Sequence, residues 1–504
     1  MRKSKCVYIL VMAGILLATG LIMGVDSQRD VVRVHQHQEQ PSEEELGVCQ
    51  RAGEEFCTHL PIVMIDTGGQ KIPGRPVEDA EGNLTGYEKT EDGEEEILVT
   101  LKTVERKGVW HHISDTADLT EKALFRVRGN SSRWFDKASY KIKLVSGENP
   151  QTNKTASLLG MDKGNEWAMH GPFLDKTLLR NYMWMNLSAE IMGSVPDVRF
   201  CELVLDGEYQ GVYVLMEMIS VGEGRVEIQE YKEGDPVFSY IVRLEPHTDP
   251  EKEIENFTFY TERMEPGTRI ELQYPTQSHQ TDAVKEYVEV DFSEIERRLF
   301  SSEMTSDPDS CWEYLDMKSF ADYYIIMEYL AVNDMFGAST YFYKDVRGKL
   351  HIGPVWDFNN ALDNYFMEMP ETEFLLNQKG WYSQLMKSPR FVEYVIWRYE
   401  ALRNGLLEEE RIEDYVTETV EWLGSAVKRN FERWGDSFDP MKLSRQERRN
   451  PTKGETKSLR DLNPSSYEEA IQWMLDYAER RGRWLDEHMD SLRQYSHPSR
   501  NMEG

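Results

Sequence analysis

The chain has 504 residues, with 58 Lys and Arg against 89 Asp and Glu, and its formal charge of −31 argues against general nucleic-acid binding. Hydrophobic residues make up 40 % and aromatic residues 11 %, including 12 Trp, too many apolar side chains for an acidic disordered chain. The length suits several domains or one elaborated α/β enzyme, and a phosphate-rich partner would need a local basic site or a divalent metal.

Arg2, Lys3 and Lys5 precede an uncharged stretch, residues 6–25. At about 1.5 Å per residue it is long enough to cross a bilayer of about 30 Å. No small-x-small cut site precedes Asp26, so the stretch reads as an uncleaved single-pass membrane anchor, with a removed signal as the alternative. The basic end would stay inside, which puts the rest of the chain outside the cytoplasm. Residues 26–58 are polar and without periodicity, a stalk in which Cys49 and Cys57 are expected to form a disulfide. Cys201 and Cys311 lie in apolar contexts and read as buried thiols.

Residues 59–122 form a β-rich region, with strands over 60–66 and 95–106 and an acidic loop between them. FRVRG and SYKIKLV follow, the second alternating so that Tyr140, Ile142 and Leu144 share one face and Lys141 and Lys143 the other. Residues 175–193 predict an amphipathic helix with an Asp N-cap, and 200–219 a hairpin turning at Asp206-Gly207. A turn signal at 233–235 marks a boundary. Beyond it come strand runs FSYIVRLEP and RIELQYP, helices over 282–299 and 317–332, and a hairpin turning at 346–348. Residues 381–492 carry helical spacing throughout.

The chemistry concentrates in residues 333–364, NDMFGASTYFYKDVRGKLHIGPVWDFNNALDN. An Asp just past an aromatic helix, then a hairpin, then Trp-Asp-Phe, gathers two carboxylates and several amides at one turn cluster. Phosphoryl transfer needs such groups, one carboxylate to orient the attacking hydroxyl and others to hold metal on the triphosphate. Asx-turns and caps without a ligand are the alternative. His111 and His112 are adjacent on a strand and point opposite ways, against joint metal binding, and no G-x-S-x-G or HExxH occurs.

Taken together, RGNSS…KASYKIKL, DKTLLRNYMW, ELVLDGEYQGVYVLMEMI, NDMFGASTYFYKD and GPVWDFNNALDN resemble the spore-coat protein H (CotH) kinase family, over roughly residue 60 to the carboxyl end. The resemblance implies an α+β fold: a divergent, atypical protein-kinase-like two-lobe fold with a β-rich N-terminal lobe (123–232), a central lobe (233–380) and a helical C-terminal portion (381–492). It also implies ATP with Mg²⁺ or Mn²⁺ as cofactors, and a Ser or Thr hydroxyl of a surface or coat protein as substrate. Carried over by position, Lys143 is the phosphate-contacting lysine, with Lys141 the runner-up. Arg128, Gly129, Asn130 and Ser131 form the turn near the phosphates, where Gly permits close backbone approach. Arg180 matches the helix motif, and Glu217 sits at the nucleotide cleft or pairs with a lysine. Asp334 matches the catalytic aspartate and Asp357 the metal-holding one.

Two positions depart from the pattern. Ser339 stands where ordinary kinases place a metal-binding Asn, and Asn359 where the family often has a second Asp. An amide coordinates Mg²⁺ through its oxygen but adds no charge, so metal affinity is expected to fall. A nucleotide-binding pseudokinase and a non-catalytic surface adhesion or structural protein are the alternatives.

Overall fold

Seven strands each turn an apolar face inward, and those faces close on one another. In the computed structural model, which describes residues 33–53, 55–147, 149–246, 249–263, 267–364, 369–439 and 463–497, these are β1 (Ile62–Asp66), β2 (Ile97–Val104), β3 (Leu119–Val127), β4 (Tyr140–Val145), β5 (Glu166–His170), β6 (Val198–Leu205) and β7 (Glu208–Glu217). They form a closed barrel in the order β6-β7-β5-β4-β3-β2-β1. Neighbours run antiparallel except β1 and β6, whose parallel pairing closes it. Phe125, Tyr140, Ile142, Leu144, Trp167 and Leu203 fill the interior. With the inward positions taken, Lys141 and Lys143 point out of the barrel, and Arg126 stands directly across from Lys141.

The outer faces of β5, β6 and β7 are buried as well, because Ala168, Phe200, Val212, Val214 and Met216 join the larger core. That explains why β6 and β7 read as near-continuous apolar runs. The turn between them is the expected Asp206-Gly207 pair, with φ of 49° and 83°.

The larger core is shared with a second antiparallel sheet. Its strands are β8 (Tyr240–Glu245), β9 (Glu253–Ile254), β10 (Arg269–Tyr274), β11 (Thr340–Lys344) and β12 (Leu350–Ile352), in the order β9-β10-β8-β11-β12. Around it pack α1 (Arg180–Ala189), α2 (Asp282–Leu299), α3 (Met317–Leu330), α4 (Pro389–Arg403), α5 (Glu409–Leu423), α6 (Ser425–Trp434) and α7 (Tyr467–His488). The fold is thus mixed α/β, with a β-rich N-terminal region and a helical C-terminal part. Every residue of α3 from Phe320 to Leu330 is buried, as its aromatic content predicts.

Three expectations are corrected. The predicted helix over 175–193 is shorter and not amphipathic. It starts at Arg180 and is buried on every face from Arg180 to Ser188. Asp175 is spent on the preceding turn, accepting from the backbone N–H of Thr177 and of Arg180. Residues 35–58 are not a free stalk, since from His35 onward the chain belongs to one compact unit. Gln36 is fully buried, accepting from the Phe200 N–H at 2.7 Å and donating to its carbonyl at 3.1 Å, and Glu43 accepts from Ser425 N–H at the start of α6. The single-pass membrane placement is also corrected: among the described residues no helix is long and apolar enough to cross a membrane. The stretch over 6–25 on which it rested lies outside the described residues. Cys49 and Cys57 are joined in a disulfide, and Cys201 and Cys311 are buried and free, as expected.

Candidate active site

Asp334 sits on the turn after α3, where its backbone carbonyl accepts from the N–H groups of Gly337 (3.1 Å) and Ala338 (3.0 Å). Asp357 follows the Gly353–Pro354–Val355–Trp356 run that leaves β12, and its φ of 66° is a left-handed conformation costly for a residue with a Cβ. Helix α1 holds that conformation. Phe358 N–H donates to Asn181 Oδ1 at 2.8 Å, and Arg180 Nε donates to the Ala361 carbonyl at 2.8 Å. The Arg180 guanidinium also bonds Asp175 at 2.6 Å. Arg180 therefore braces the Asp357 loop through the Ala361 carbonyl.

Electrostatics tie the two carboxylates together. Burial raises Asp357 to about 6, the Asp334 charge pushes it further the same way, and Arg128 opposes. Burial also raises Asp334, with Lys379 opposing. A third carboxylate comes from the second sheet: Glu245 is raised to about 7 by burial, with Arg243 opposing and Glu271, Asp357 and Asp334 adding. Arg243 is committed to Glu271 at 2.6 Å and stands farther from Glu245, at 3.8 Å. Sequence reasoning missed Arg243, Glu245 and Glu271. The signal was present in YIVRLE, where two charged residues share one face of an otherwise apolar strand.

The barrel contributes one cation to this field, Arg128. Burial pulls Arg128 below its usual range, Asp357 and Tyr341 oppose, and Arg126 and Arg243 add to the fall. Its guanidinium lies 5.8 Å from the Trp356 ring centroid. Gly129 allows the turn: φ is 111°, and a Cβ there would fall 1.9 Å from Ser132 Oγ. Asn130 is exposed and Ser131 opens a short 3₁₀ turn. Arg126 bonds Glu96 at 3.2 Å, Lys141 stands 3.6 Å from both Glu96 and Glu166, and Lys143 stands 3.6 Å from Glu166. The two lysines thus belong to a charged network with Arg126, Glu96 and Glu166 on the barrel's outer wall, and Arg128 is the barrel cation that acts on Asp357.

The remaining residues divide. Glu217 pairs with Arg225 at 2.7 Å and accepts from Asp197 N–H. Asn359 donates to Asn360 Oδ1 at 2.9 Å, and Ser339 has a φ of 48° at the edge of β11. His170, at the end of β5, is held down to about 4 by burial, with Arg128 and Lys137 adding and Asp175 opposing, and its Nε2 has no hydrogen-bond partner. Beside the Asp357 loop a cavity of about 290 Å³ is lined by Lys176, Arg180, Asp363, Trp473 and Arg480 among others.

The donors suit a hard divalent cation: carboxylates and amides, with no thiolate. Asp334, Asp357 and Glu245 share a field without closing into one tight shell. Among the described residues the one trio of His, Cys, Asp or Glu with all ligand atoms within 4.8 Å is Cys49, Cys57 and His112, whose sulfurs are joined to each other. His111 turns away to the Leu60 and Arg106 carbonyls, so the two histidines do not act jointly.

A family model described as CotH kinase protein matches residues 125–485, from β3 almost to the end of α7. The chain belongs to the CotH kinase family. That match spans both the cationic wall and the acidic pair, and it supports a kinase-like, phosphate-transferring function for this CotH kinase family member. No curated protein matches the chain.

Proposed function

We propose that this CotH kinase family member is a protein kinase that transfers the ATP γ-phosphoryl group to a Ser or Thr hydroxyl of a partner protein, such as a coat component. The barrel and the α/β half behind it would act as the two lobes of a divergent kinase fold. The observation that carries this reading is the field of Asp334 at the buried Asp357, opposed by Arg128. Asp357 and the Asn359 amide would hold Mg²⁺ or Mn²⁺, which when bound neutralises charge on the phosphate oxygens. Arg128 and the backbone at Gly129 present donors to those oxygens, with Lys141 and Lys143 further along the wall. Asp334 would accept a hydrogen bond from the acceptor hydroxyl and take its proton as that oxygen bonds the γ-phosphorus and the bond to the bridging oxygen breaks, releasing ADP. Its raised proton affinity suits that task.

The test is transfer of labelled phosphate from ATP by the purified protein, beside Asp334→Asn and Asp357→Asn. Label on the wild type and on neither variant supports the kinase. Ser339 and Asn359 favour a second reading, nucleotide binding without transfer; a wild type that binds ATP and metal but never passes label would establish it.

A further inference from the structure

The Cys49–Cys57 bridge stands beside an imidazole. Residues 57–58 pair with residues 111–112, which sets Cys57 opposite His112 on the backbone, and His112 Nε2 lies 3.2 Å from Cys49 Sγ. A disulfide sulfur carries no proton, so in that hydrogen bond Nε2–H is the donor. The other ring nitrogen, Nδ1, meets the Arg51 guanidinium and stands 3.2 Å from the Asp115 carboxylate, which also accepts from the His112 backbone N–H at 3.0 Å. These contacts fix the ring with its donor on the sulfur.

Burial separates the two cysteines. Cys49 is 7 % exposed and His112 is buried, whereas Cys57 is half-buried. A thiolate from solvent therefore meets Cys57 first, and exchange is faster when the departing sulfur is well stabilised as a thiolate. We propose that Cys49, Cys57 and His112 form a thiol–disulfide exchange site for a small thiol, with Cys57 the sulfur attacked and Cys49 the sulfur released beside His112. The incoming thiolate bonds Cys57 Sγ, the Cys49–Cys57 bond breaks, and its electron pair leaves on Cys49 Sγ, which keeps the hydrogen bond from Nε2–H. A second thiolate then attacks the sulfur of the first, giving the small disulfide and the Cys57 thiolate; the small disulfide reverses both steps. All three residues precede the span 125–485 matched by the family model, so the site is independent of the kinase reading.

The experiment incubates the full chain with glutathione in chelator, which keeps metal off the reduced trio, whose ligand atoms lie within 4.8 Å of one another. Samples are quenched with N-ethylmaleimide and their peptides mapped by mass spectrometry. The expected result is reduction of the folded protein, with glutathione on Cys57 and maleimide on Cys49 in the first product, and a rate about tenfold or more lower in His112→Phe. The sign is diagnostic: Phe keeps a ring but has no N–H, and a change that only loosened the packing would expose the bridge and speed its reduction. A rate in His112→Phe equal to or above the wild type overturns the proposal. So does a first adduct on Cys49, or a bridge that glutathione reduces only in denaturant. The last two readouts need the wild type alone and hold even if the variant does not fold.

Discussion

Replacing Asp357 by Asn should make the metal-free protein more stable, and the gain should shrink in acid. The folded protein raises this carboxyl from 3.8 to about 6, chiefly by burial. The native state therefore binds the proton more tightly than the unfolded chain, and stability falls as pH climbs from about 4 to about 6 and stays low above that. A rise of that size corresponds to at most about 3 kcal/mol, and partial solvent access reduces it to about 1–2 kcal/mol. For a folded unit of this size the melting temperature should rise by about 1–3 °C at pH 7.5 in chelator. At pH 5 the difference should be about half as large, because wild-type Asp357 is then mostly protonated. Added Mn²⁺ should stabilise the wild type and not the variant. Differential scanning fluorimetry at both pH values reads all of this. A variant that melts at or below the wild type at pH 7.5 in chelator would refute the claim that Asp357 carries an uncompensated charge.

Three further outcomes test the scaffold. Gly129→Ala should cost about 1–3 kcal/mol of stability, since it forces a Cβ onto Ser132 Oγ at a positive φ, and nucleotide affinity measured by calorimetry should fall with it. Arg180→Ala strands the buried Asp175 and frees the Ala361 carbonyl; chemical denaturation should show a loss of about 3–5 kcal/mol. Arg481→Met should cost a similar amount. Arg481 and Glu328 are both fully buried, 2.8 Å apart, and Arg481 also donates to the Glu371 and Glu373 carbonyls; proteolysis should then open α7 before the barrel.

Much of the fold was legible because its signals are local. The Asp206-Gly207 turn, the alternation that sends Lys141 and Lys143 outward, the aromatic α3 and the amphipathic C-terminal helices all follow from neighbours a few residues apart. The candidate segment that carries Asp334 and Asp357 was legible for the same reason, since the two flank a single hairpin. The α1 expectation failed where local pattern met tertiary context: Asp175 looks like a helix cap but turns its carboxylate on Arg180, and packing from all sides removed the polar face. The stalk reading failed likewise, since the polar side chains of Gln36 and Glu43 find their partners at Phe200 and Ser425, far along the chain.

By itself the sequence determined most of the strands, most helix positions, the Cys49–Cys57 bridge and the family, because backbone propensity, side-chain period and turn chemistry act over short stretches. Only the tertiary structure decided that the barrel closes through a parallel pairing of β1 with β6, and that Arg180 braces the Asp357 loop. It also brought Glu245 from a separate sheet into the field of Asp334 and Asp357. Charges interact through space with a strength set by burial and distance, and neither quantity exists until distant segments have packed.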